Sequence, residues 1–162
     1  AAEAAALLGD RVLGVIGVDA FSNVGRKPPT AAQIAKQLAP LEKDFIGATR
    51  AMLAAGFFRK DADPLFVRRV ADDMSQEPPE VAIPAMRSLN SWEGAKVLGA
   101  LKQPILAINS DLHGATDEAR IRKSVPTFRV VTIANTGHFL MMERPEIFNP
   151  ELLKQLAALS GG

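Results

Sequence analysis

The sequence predicts an α/β fold in which a small parallel sheet is interrupted by a long helical block. Two observations carry this. Three short runs rich in Val, Ile and Leu lack the alternation of a half-exposed strand, and suit strands covered on both faces. Residues 20–100 hold most of the prolines and no convincing strand.

The elements follow in order. "AAEAAALLGDR" is not a signal peptide, since Glu3 and Asp10 interrupt it and no basic leader precedes it. It reads as the tail of a helix closed by Gly9 at C′, a helix whose start lies upstream. "RVLGVIGVD", 11–19, is the first strand. Thr30 is a cap for a helix to about Leu38. Pro40 suits N1 of another over 41–55, with Leu41, Phe45, Ala48 and Met52 on one face. Asp63-Pro64 and Pro78-Pro79 open two more, and Ser91 caps a short fifth through "WEGAKVLGAL". A single crossover needs only about a dozen residues, so this block reads as an inserted helical cap. The boundaries expected are core 1–22, cap 23–100 and core 101–162. "PILAIN", 104–109, and "FRVVTIAN", 128–135, are the remaining strands. Asp117 or Glu118 opens a helix between them and Lys123 ends it. Asn149 and Pro150 open the last helix, with Leu152, Leu153, Leu156 and Leu159 as its buried side.

Composition excludes several classes of function. The chain is 162 residues, 48% hydrophobic and +1 in net charge, ordinary for a globular domain and without the charge excess that nucleic acid or an anionic membrane would call for. It has no cysteine and two histidines, which leaves no thiolate site and no multi-histidine zinc site; no metal and no cofactor is expected. No apolar run reaches the ~18 residues that span a bilayer. A cytoplasmic location is expected, with secretion open.

Two strand ends carry chemistry. The second strand runs into "NSD", ending at Asp111, and the third into "NTGH", ending at His138. Side chains just past the carboxyl ends of neighbouring parallel strands share one rim, where open α/β sheets place their sites. A carboxylate there can fix the tautomer of an imidazole and stabilise its cation. Gly137 lets the loop turn close to a substrate. His138 is therefore the expected base and Asp111 its partner. Asp117 is the alternative acid, because the loop to Asp111 is short, and Asp19, just past the first strand, is a third position. Phe139 beside the base, with Trp92 and Phe57 in the helical block, are the candidate substrate contacts.

"PILAINSD" and "RVVTIANTGHFLMMERPEIFN" resemble the acid strand and the histidine segment of the α/β-hydrolases, and "GDRVLGVIGVD" resembles the strand after that family's nucleophile helix. The resemblance covers essentially the whole chain and matches the C-terminal half of a capped, esterase-like member. It implies hydrolysis of a small carboxylic ester by a serine nucleophile, an acid and a histidine, in that chain order. No G-x-S-x-G occurs, and none of Ser22, Ser75, Ser88, Ser91, Ser110, Ser124 or Ser160 sits in a glycine-flanked turn. The resemblance thus implies a nucleophile in an upstream part of the enzyme and no activity for this polypeptide alone. C–C hydrolases, haloperoxidase-like enzymes, epoxide hydrolases and dehalogenases share these features, and a non-catalytic binding module is the reading outside enzymology.

Overall fold

The computed structural model describes residues 1–161, which form two compact units. The first comprises Ala1–Arg26 and Glu93–Gly162, and the second Lys27–Trp92. The expected boundaries at 22 and 100 therefore shift. Residues 93–100 join the sheet unit because the helix Gly94–Gly99 packs on the first helix, with Leu98 fully buried.

In the sheet unit, α1 (Ala2–Leu8) ends at Gly9, whose φ of 55° and ψ of −127° lie in a region open to glycine. Strand β1 (Val15–Val18) follows. After the helical unit and α6 (Gly94–Gly99) come β2 (Ile105–Ser110), α7 (Glu118–Arg122) and β3 (Phe128–Ile133). Asp117 caps α7 by accepting from Arg120 N at 2.9 Å. The chain then runs through α8 (Leu140–Glu143) into α9 (Pro145–Leu159).

The strands pair in parallel in the order β1-β2-β3. Every residue of the central strand is buried, which explains its unbroken apolar pattern. Leu106, Ile108, Ile133, Leu140 and Phe148 form the core beside it, with Ile16, Val18, Val131 and Leu152 packed around them. The last helix departs from its expected start: it opens at Pro145, and Pro150 lies inside it. Its first turn is anchored by Phe148, 4% exposed, whereas Leu153 and Leu156, expected inside, are 66% and 45% exposed. The histidine loop ends in α8, which delivers Pro145 to N1 and rotates the helix onto Phe148 and Leu152.

The second unit is helical: α2 (Ala31–Lys43), α3 (Phe45–Gly56), α4 (Pro64–Met74) and α5 (Pro79–Asn90). Thr30 and Gln33 form a reciprocal capping box at the start of α2. The break expected at Pro40 falls instead at Asp44, and Pro40 sits within α2. Leu41 continues the face of Ile34 and Leu38, and burying that face outweighs the hydrogen bond Pro40 cannot donate. Asp44 then caps α3 by accepting from Gly47 N at 3.0 Å. A Cβ at Gly47 would collide with that carboxylate. Asp63 and Pro64 open α4 as expected, with Asp63 accepting from Leu65 N at 2.9 Å. Ser91 does not cap the start of α6, which Glu93 precedes; it closes the end of α5, where its hydroxyl donates back to the carbonyls of Arg87 and Ser88.

Candidate catalytic site

The strand register decides which groups meet. Val18, the last residue of β1, lies opposite Ile108, and Ser110 lies opposite Ile133 at the end of β3. Asp19, Asp111 and the His138 loop thus leave the same edge of the sheet.

The carboxylate that reaches His138 is that of Asp19. Its Oδ2 lies 2.7 Å from His138 Nδ1. The sequence reading put Asp111 in that role; the structure puts Asp19 there, and Asp111 Oδ1 accepts from the backbone N–H of Thr136 at 3.4 Å. The reason is a turn. Asp19 has φ of 44° and Phe21 φ of 65°, so the chain curls back over the strand end in left-handed backbone rather than running on outward. Aspartate tolerates that conformation; an aromatic residue there is strained and persists only where its surroundings hold it. Asp117 is the cap of α7 and Asp111 braces the histidine loop.

Several contacts hold the β1 turn. Asn109, 2% exposed, accepts from Ala20 N and donates to Ala20 O, both at 3.0 Å, and its Nδ2 also donates to Thr116 Oγ1 at 2.8 Å. Arg120 donates to the carbonyls of Ser22 at 2.7 Å and Val24 at 3.3 Å. Gly17 supplies the space: a Cβ there would stand 2.5 Å from Cε2 of the Phe21 ring.

The histidine loop is fixed as firmly. Asn135 takes φ of 59° at the end of β3. Thr136 is fully buried and donates through Oγ1 to Ile133 O at 2.7 Å, closing the turn. Gly137 N donates to Glu143 Oε2 at 2.8 Å, which ties the loop to α8. The Phe139 ring stands edge-on to the imidazole, 5.1 Å between centroids. Asp19 is 14% exposed and His138 34%, so the carboxylate is nearly enclosed while the imidazole reaches the surface.

Burial on its own would push the Asp19 carboxyl up. The hydrogen bonds from His138 and from the Ser110 N–H and hydroxyl together outweigh that, and the carboxyl sits below its ordinary value. A carboxylate held ionised against Nδ1 makes Nδ1 the protonated nitrogen and Nε2 the proton acceptor. Trp92 and Phe57 lie in the helical unit, outside the residues that form the pair. Among the described residues no cluster of three metal-ligating side chains occurs, and no helix is long and apolar enough to cross a membrane.

The signal for Asp19 was present in "VIGVDAF": an acid immediately past a strand, the same placement as Asp111. The sequence ranks Asp19 behind Asp111 and Asp117, although both Asp19 and Asp111 follow a strand directly. The turn geometry separates them.

No family model matches the chain, and no curated protein does. Solved structures do resemble it. A thermophilic esterase from Thermogutta terrifontis superposes with a TM-score of 0.75 at 17% identity over 96% of this chain and 59% of its own. An esterase from Exiguobacterium antarcticum gives 0.79 at 12% identity, over 96% and 62%. A bromoperoxidase from Bacillus anthracis gives 0.73 at 18% identity, over 96% and 63%. The chain thus spans about three fifths of the length of these structures.

Proposed function

The chain has the α/β-hydrolase fold, its sheet being a three-stranded portion of it; from that premise we propose that it is the acid- and histidine-bearing part of a hydrolase of small carboxylic esters. His138 is the general base and Asp19 its orienting acid. The nucleophile is a serine in a segment outside these 162 residues. The observation that carries this is the 2.7 Å contact between Asp19 Oδ2 and His138 Nδ1 at the carboxyl edge of a parallel sheet.

The chemistry follows from the pair. His138 Nε2 takes the proton as the serine oxygen attacks the ester carbonyl, and Asp19 stabilises the imidazolium so formed. Collapse of the tetrahedral intermediate expels the alcohol, which leaves with that proton. Water, deprotonated by the same nitrogen, then attacks the acyl-enzyme; the acid product leaves and the serine oxygen recovers the proton from His138. Three observations support an external nucleophile. The sequence contains no G-x-S-x-G. The chain spans about three fifths of its structural neighbours. Strand β1 lies at an edge of the sheet, ready to pair with a further strand. Phe139, packed on the imidazole, is the proposed wall of the substrate site in the sheet unit.

The test extends the chain through the segment encoded upstream of Ala1 and follows hydrolysis of p-nitrophenyl acetate. The 162-residue chain alone should give no turnover above buffer. In the extended protein His138→Ala should lower kcat on the order of 10⁴-fold. Retention of activity within tenfold would remove His138 from the mechanism.

A further inference from the structure

The end of β2 does not supply the acid, yet it is built around it. We propose that Ser110 is a positioning residue for the Asp19–His138 pair, because both of its donors converge on the one carboxylate oxygen that His138 does not use. Ser110 N–H donates to Asp19 Oδ1 at 2.8 Å and Ser110 Oγ–H donates to the same atom at 3.0 Å. Oδ2 is left to His138 Nδ1 at 2.7 Å.

Two donors on a single carboxylate oxygen define the plane of the carboxyl group and hold its side-chain torsion. That sets the direction of Oδ2 and with it the plane of the imidazole. Ser110 is itself fixed: it is 6% exposed, its backbone pairs opposite Ile133, and its oxygen accepts from Leu112 N at 3.4 Å. With its hydroxyl proton on Asp19, Ser110 is committed to holding the acid and is not available as a nucleophile. Asn109, the preceding residue, clamps Ala20 from both sides. Two consecutive polar residues at the end of a buried strand thus hold the acid and its turn.

The inference rests on the reading of Asp19 as the partner of His138, and its test needs no turnover. The carboxyl carbon of Asp19 is followed by NMR across a pH titration of the 162-residue chain. Ser110→Ala removes a donor that favours the ionised form, so the Asp19 midpoint should rise. Ser110→Thr keeps the hydroxyl and should titrate like the parent. A folded Ala variant that titrates with the parent would overturn the proposal. A measurement on the unmodified chain stands beside it: the Ser110 amide proton should shift with the Asp19 midpoint, and a flat profile would equally overturn it. A Ser110 effect on this titration together with no ester hydrolysis by the extended protein would keep the positioning role and discard the hydrolase reading.

Discussion

Gly17→Ala adds one carbon in the middle of β1, at a buried position paired with Ala107. The new Cβ would lie 2.5 and 2.9 Å from Cε2 and Cδ2 of Phe21 and 3.0 Å from Cβ of Ala20. Neither neighbour yields easily. Ala20 is held through its N–H and its carbonyl by Asn109, and Phe21 already sits at φ of 65°. Overpacking of this kind costs about 1–3 kcal/mol. Restricting the unfolded chain returns about 0.4–1 kcal/mol. At the centres of these ranges the net loss is roughly 1.3 kcal/mol, or about 3–5 °C in Tm for a chain of this length. Phe21 lies two residues past Asp19, so the displaced ring also drags the turn that aims the carboxylate at His138. The assay is urea denaturation by circular dichroism, paired with the Asp19 titration. Phe21→Ala in the Gly17→Ala background should recover part of the loss, and the double-mutant cycle isolates the clash from whatever else Phe21 contributes. If Gly17→Ala leaves stability within about 0.5 kcal/mol and the titration unmoved, the ring does not rest on Gly17 and the account of the turn is wrong.

Two further outcomes are expected. Asp19 has a folded-state pKa below its ordinary value, so its contribution to stability is present above the unfolded pKa of about 3.9 and is lost as pH falls through the lowered folded value. The stability gap between the parent and Asp19→Asn should therefore close as pH falls below about 3.9, and a gap that grows through that range would contradict the assignment. Leu38→Ala empties a position 1% exposed between Ile34 and Leu41, and should cost about 2–5 kcal/mol by urea midpoint, whereas a change under about 0.5 kcal/mol would mean that α2 does not pack as described.

The strands, the helical block and the place of His138 just past a strand were legible in the residues because each is written in local chemistry. Apolar runs without alternation mark buried parallel strands, as Ile105–Ser110 shows. Thr30, Asp63 and Asp117 announce helix starts because their side chains satisfy the free N–H groups of a first turn. Proline was a poorer guide. Pro40 and Pro150 read as helix starts, yet both lie inside helices, since the burial of Leu41 and of Phe148 is decided by neighbours distant in sequence.

Which carboxylate meets His138 belonged wholly to the tertiary structure. Asp19 and Asp111 each follow a strand, and each reaches the same rim. What separates them is a left-handed turn at Asp19, held by Asn109 from 89 residues away, and the two donors of Ser110 that face the carboxylate. Hydrogen bonds between segments so far apart leave no trace in local pattern. The sequence determined which groups stand at the edge of the sheet; only the packed chain, by fixing backbone torsions and strand register, decided which carboxylate the imidazole meets.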